Sequence, residues 1–216
     1  MSVPMLAACA TTGADSAAAF GDAAAYQTAQ TNVATLTAQA NQDPLLKPWT
    51  GPHGGVPPWD QARAELLPPA LGLGIQLQEA EIQAIANNPA APTFANTMVP
   101  LQDAGRHLDR ATTVFGVMTD NISNEQIQAV EAEWSPRITA AYNAITFNRA
   151  LFNRVHDLYE RRATLGLSAE QLRLLERSHD QFVRAGAAAT PEQQARLGAI
   201  NEELSTQFAD FGRRLL

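Results

Sequence analysis

The segment Ala80–Thr97 reads AEIQAIANNPAAPTFANT. Its first half closes one helix and its second half opens another. Ile82 and Ile85 continue an apolar face that begins at Ile75 and passes Glu79, with the three-to-four-residue step of a helix. Asn87-Asn88-Pro89 stops that run, because proline has no N–H to give and its ring clashes with the preceding turn. Thr93 then offers a side-chain oxygen to the free N–H groups of a new helix. Helix, short polar stop, helix is the grammar of an all-helical chain.

The same grammar extends in both directions. Phe94, Met98, Leu101, Leu108, Thr112 and Phe115 share a stripe, with Gly105 on it as a place for a second helix to come close. Pro100 lies inside this run and either kinks it or marks a late helix start. Asn121 and Ser123 interrupt. Ile127, Val130, Trp134, Ile138, Ala141, Ile145, Phe152, Val155 and Tyr159 carry the longest stripe, with a bend expected at Pro136 and an end at Gly166. Ser168 to Gln171 spells a capping box, and Leu172, Leu175, His179 and Phe182 follow it until Gly186. Thr190 to Gln193 spells a second box, with Pro191 at the first helical position. Leu197, Ile200, Leu204, Phe208, Phe211 and Leu215 form a last face, apolar to Leu216 with no cap or polar tail, which reads as a chain cut in mid-structure.

No window alternates apolar and polar residues for long, so no substantial sheet is expected. The expected fold is all-α, with about five amphipathic helices, mostly antiparallel neighbours on short connections. Trp49, Trp59, Phe94, Phe115, Trp134, Phe147, Phe152, Phe182, Phe208 and Phe211 read as core.

The 216 residues suffice for one good core or two small ones. A net charge of -7 argues against a nucleic-acid partner, which needs a basic footprint. Arginine supplies nearly all the positive charge, and Lys47 is the only lysine. No apolar run reaches the length of a membrane span.

Ahead of the helical body lies an unusual lead, Asp43–Asp60, DPLLKPWTGPHGGVPPWD. Its five prolines forbid an ordinary helix, yet its two tryptophans want burial. Before that, residues 9–42 are rich in Ala, Thr, Gln and Asn and read as a flexible tether. Cys9, the only cysteine, sits in Leu6-Ala7-Ala8-Cys9-Ala10-Thr11-Thr12-Gly13. This resembles the lipobox of a bacterial lipoprotein, in which the chain is cut before the cysteine and acyl chains are attached to it. That implies a lipid anchor on the periplasmic side of the cell envelope. Residues 1–8 form only a signal-like remnant, without the charged start and apolar stretch of a full signal peptide. The other reading is an alanine-rich start of no special role and a cytoplasmic protein.

A search for chemistry finds little. The histidines are His53, His107, His156 and His179, and no two stand four apart around a glutamate as HExxH zinc sites require. His156 shares a helical face with Glu160, a weak ligand set, so interhelical or surface roles are expected for the histidines. The pairs Glu131/Glu133 and Glu202/Glu203 are too close in sequence to face each other on a helix. There is no GxSxG, phosphate loop or GxGxxG, and one cysteine can neither form an internal disulfide nor build a metal cluster. No catalytic residue and no metal ligand is assigned.

Two stretches nevertheless carry a resemblance. Pro44-Leu45-Leu46, Pro48-Trp49, Gly51-Pro52, Gly54-Gly55 and Val56-Pro57-Pro58-Trp59-Asp60 are similar to the entry segment of the zinc-dependent oligopeptidases of the thimet oligopeptidase and peptidyl-dipeptidase Dcp group. Ala80–Thr97 resembles that family's first helix–helix junction, and Phe115, Gly116, Asn121 and Phe182-Val183-Arg184-Ala185-Gly186 extend the likeness. The resemblance covers residues 43–216. It implies that these helices form the amino-terminal wall of a channel admitting short peptides, with the tryptophans pinning the lead to the outside. It also implies that zinc belongs to the complete enzyme, held by HExxH and a later glutamate, where it activates water. None of those ligands is present in this sequence, so the expectation is a non-catalytic portion that needs no cofactor. A separately encoded catalytic half is one partner this allows. The alternative is a stand-alone helical lipoprotein that binds a peptide or protein without catalysis.

Overall fold

A computed structural model describes residues 20–52, 55–122 and 124–215. The fold is all-α. Among the described residues the only β-pairing is a single bridge between Thr50 and Val56. The helices are α1 (Ala23–Ala40), α2 (Leu67–Ala86), α3 (Val99–Asp103), α4 (Arg106–Asn121), α5 (Glu125–Thr146), α6 (Arg149–Glu160), α7 (Ala169–Arg184) and α8 (Pro191–Leu215). α2 is the central element and packs against α1, α4, α5 and α6. Leu67, Leu71, Leu77, Leu108, Val114, Ile127 and Trp134 fill the main core between them.

More helices form than the stripes suggest, for three local reasons. The first is α1, which occupies much of the segment expected to be a flexible tether. Asp22 caps it by accepting from the N–H groups of Ala24 and Ala25. Its alanines let it lie close along α2: Ala29 and Ala40 are buried, and Val33 and Leu36 pack on the main core. Small side chains carry little apolar signal in sequence but allow a close helix–helix approach.

The second reason is Gly105. The stripe from Phe94 to Phe115 is not one helix but a π-turn at Phe94–Met98, then α3, then α4. Thr93 caps the π-turn reciprocally with Asn96, as its position suggested. Pro100 stands in the first turn of α3, where its missing N–H does no harm. Gly105 adopts φ of 87°, a left-handed turn that L side chains resist, and its N–H donates to a Glu81 carboxylate oxygen at 2.7 Å. Burial raises the Glu81 pKa, the Gly105 bond opposes that rise, and Asp103 and Asp109 add to it. The close approach expected at Gly105 is made by α2, where an added Cβ would collide with the Gln78 side chain, and α2 comes close to α4 again at Gly74, where an added Cβ would lie 3.0 Å from Leu108 Cα.

The third reason is Asn148. The longest stripe breaks at Phe147-Asn148, and the Asn148 side chain accepts the Leu151 N–H at 2.9 Å to start α6. Pro136 stays inside α5. Both capping boxes form: Ser168 with Gln171 before α7, and Thr190 with Gln193 before α8.

The proline-rich lead is anchored differently from expectation. Leu45 and Leu46 are fully buried, whereas Trp59 is 43% exposed and Trp49 only half-buried. The leucines carry the anchoring because they sit at the turn that follows α1 and face the core. Val56 N–H donates to Thr50 O at 3.0 Å, closing a small loop. Gly55 is required there, since a Cβ would stand 2.7 Å from Trp49 Cβ. Phe208 and Phe211 also lie outside the core, at 72% and 60% exposure.

The α2–α3 junction is held from below by Arg154 of α6, which is completely buried. Its guanidinium donates to Asn88 O at 2.7 Å, Ala90 O at 3.1 Å and Asn96 Oδ1 at 3.0 Å. The first two acceptors belong to the turn that Asn87-Asn88-Pro89 creates, and the third to the π-turn. Burial lowers the Arg154 pKa, with Asp157 favouring the charged form. Replacing Arg154 by Leu strands the Asn88 and Ala90 carbonyls, each costing about 1–3 kcal/mol if buried unpaired, whereas Asn96 Oδ1 keeps the Thr93 N–H and the Thr97 hydroxyl. We expect Arg154→Leu to lower the unfolding free energy in urea titrations by about 2 kcal/mol or more. Arg154→Lys should recover only part of that loss, because one ammonium cannot reproduce a planar fork.

Candidate functional site

Two features stand out from the helical scaffold: a histidine pair between α6 and α7, and the outer face of α8. The capping box at Ser168 sets the register of α7 and brings His179 opposite His156 of α6. His156 Nδ1 and His179 Nε2 are 3.0 Å apart. The sequence offered no hint of this pairing, because its two members belong to different helices and neither shows a ligand spacing. The expectation of an interhelical histidine is met by His179, which is buried at 8% exposure. His156 stands at the solvent edge. Tyr159 stacks on His179 at 3.9 Å between centroids, Phe152 lies beside both imidazoles, and the Arg162 guanidinium covers the outer face of Tyr159 at 4.0 Å.

The shared hydrogen bond has a preferred direction. His179 Nδ1 is buried without a partner. A bare acceptor is tolerated there better than an orphaned N–H, so His179 Nε2–H donates to His156 Nδ1. That leaves His156 Nδ1 and His179 Nε2 engaged with each other, and the rings stacked on them are aromatic. Among the described residues no three His, Cys, Asp or Glu side chains converge on one point. The donor set does not fit zinc. His107 lies elsewhere, on α4, 3.5 Å from Asn41 Oδ1. His53 and Cys9 lie outside the described residues.

The pair makes stability sensitive to acid. Burial, then the neighbouring His156 and Arg162, lower the His179 pKa against the opposing pull of Asp180 and Glu160. Burial and Arg110 lower that of His107. With folded values below the unfolded 6.5, the unfolded chain takes up protons first as the pH falls. The contribution of these two imidazoles to stability is therefore complete above about pH 6.5 and declines below it. Urea midpoints measured at about pH 7 and 5.5 should show this decline. His179→Phe, which keeps the stacking, should reduce the decline and leave the His107 share.

The second feature is a helix seated the wrong way round for its own composition. α8 rests on α5 through Gly198, Asn201, Ser205 and Ala209. Asn201 Nδ2 donates to Asn143 Oδ1 at 2.8 Å, and Gly198 faces the Phe147 ring. The apolar stripe points away: Leu197, Leu204, Phe208 and Phe211 are all exposed. A shallow groove of about 500 Å³ runs beside them, lined by Leu204, Gln207, Phe208, Asp210, Phe211 and Arg214. A surface stripe of this kind marks an interaction face more than a catalytic one. Among the described residues no helix is long and apolar enough to cross a membrane.

Comparison with characterised proteins turns this helical assembly toward peptidases. No family model matches the chain. It is, however, 38% identical over 174 residues, 81% of its length, to the dipeptidyl carboxypeptidase of Salmonella typhimurium. It is likewise 38% identical over 169 residues, 78% of its length, to the dipeptidyl carboxypeptidase of Escherichia coli. The chain spans about a quarter of the length of these curated relatives, 25% and 24% respectively.

Proposed function

We propose that these residues are the helical, non-catalytic, amino-terminal portion of a zinc-dependent peptidase of the dipeptidyl carboxypeptidase type. They would form one wall of a channel for short peptides. The observation that carries this reading is the joint one: 38% identity along 81% of the chain, in a sequence that contains no HExxH. Zinc and its activated water would be supplied by further polypeptide, on the same chain or as a separately encoded catalytic half. The 216 residues by themselves then hydrolyse nothing.

Two measurements test this. The purified chain should release no dipeptide from short peptides above background, with or without added zinc; chelator-sensitive turnover would overturn the reading. Conversely, the chain substituted for the matching segment of the Escherichia coli enzyme should preserve chelator-sensitive dipeptide release. A folded but inactive hybrid would count against membership.

A second reading, a helical lipoprotein that binds a partner without catalysis, is favoured by Leu6-Ala7-Ala8-Cys9 alone. It places the protein on the periplasmic side of a bacterial envelope. Expression in a bacterial host with labelled palmitate should mark the chain and lose the mark in Cys9→Ser. An unlabelled wild-type chain removes the anchor.

A further inference from the structure

We propose that α8 pairs antiparallel with α8 of a second copy of this chain, closing its outward apolar stripe on itself. This goes beyond the peptidase reading and does not depend on it. The helix already has one seated side, the small-residue face against α5, so the stripe of Leu204, Phe208 and Phe211 has no other place to turn within the described residues.

The choice of a second copy comes from the order of polar groups along the stripe. On the flank facing away from α5, Glu203, Gln207, Asp210 and Arg214 follow at intervals of four, three and four residues. Read backwards, the spacing is the same and the charges are complementary. A two-fold axis between Phe208 and Ala209 sets Glu203 opposite Arg214 of the second copy, and Gln207 opposite Asp210, which Arg213 of its own helix already pairs, each juxtaposition occurring twice. Glu203 and Arg214 are both exposed, and Gln207 Nε2 already orients Glu203 Oε1 at 3.1 Å. In the same register, Phe211 of the second copy falls between Leu204 and Phe208, and Phe208 falls between Phe208 and Phe211. Large side chains thus meet the gaps between large side chains, as interdigitating helices require. An unrelated surface would have no reason to match a spacing that reads the same in both directions with Glu203 and Arg214 at its two ends. The additional polypeptide of a longer peptidase is the competing occupant.

Sedimentation of the full 216-residue chain over a range of concentrations tests the proposal. The expected result is a reversible dimer that Phe208→Ser abolishes. Glu203→Arg or Arg214→Glu alone should weaken it about tenfold, since each change creates two like-charge contacts. Combined, the two substitutions should restore it, because the pairs re-form with signs exchanged. All of these side chains are exposed, and unchanged helical circular dichroism verifies folding. A monomer at every concentration overturns the proposal and leaves the stripe to another polypeptide. So does a dimer indifferent to these substitutions, or a double variant weaker than either single one.

Discussion

The buried guanidinium of Arg154 is the constraint around which the rest of the molecule is arranged. A fully buried cation is expensive unless every donor it can place finds an acceptor. Here the two terminal nitrogens find the backbone oxygens of Asn88 and Ala90 and the amide oxygen of Asn96, while Nε is buried without a partner. No carboxylate pairs with it among the described residues. The turn between α2 and the π-turn must therefore keep one shape, and α6 must stay beneath it. Arg161 extends the tie by donating to Pro92 O at 3.0 Å while pairing with Asp157. On either side of this polar node lie two small apolar clusters, one around Ile82, Ile85 and Leu151, the other around Met98, Val155, Leu158 and Leu175.

From that node the two candidate features follow in opposite ways. The histidine pair belongs to the well-packed region, since α7 is held on α6 by the cluster that contains Leu175 and Val155. Its chemistry is that of a hydrogen-bonded contact enclosed by aromatic rings, and it tunes stability rather than reactivity. The α8 face lies at the far end. There α5 is the element against which α8 chiefly packs, and the seated residues are small enough for the backbones to come close. Close seating of the small face forces the large side chains outward, so the most apolar stripe of the last helix becomes surface.

Much of the local structure was legible because punctuation acts at short range. Asn87-Asn88-Pro89, Thr93, Ser168 and Thr190 act where their chemistry predicts, since each satisfies or removes a backbone hydrogen bond within a few residues of itself. The likeness to peptidases was legible in the same stretches and agrees with the measured identity to two dipeptidyl carboxypeptidases. Misreadings arose where a stripe was continuous but the backbone was not. Gly105 and Asn148 look like ordinary members of a periodic run, yet the first takes up a left-handed turn and the second caps a new helix. The tether failed for a related reason: alanine gives a weak apolar signal, and α1 gains its stability from the surface α2 provides.

The sequence by itself determined the helical class, most of the caps and the absence of an HExxH motif, because these depend on residues within one or two turns of one another. Only the tertiary structure decided that Leu45 and Leu46 rather than the tryptophans anchor the lead, that His156 meets His179, and that the stripe of α8 faces outward. Each of those outcomes rests on which surface a neighbouring element offers. That surface is assembled from residues distant in the chain, so no local pattern could specify it.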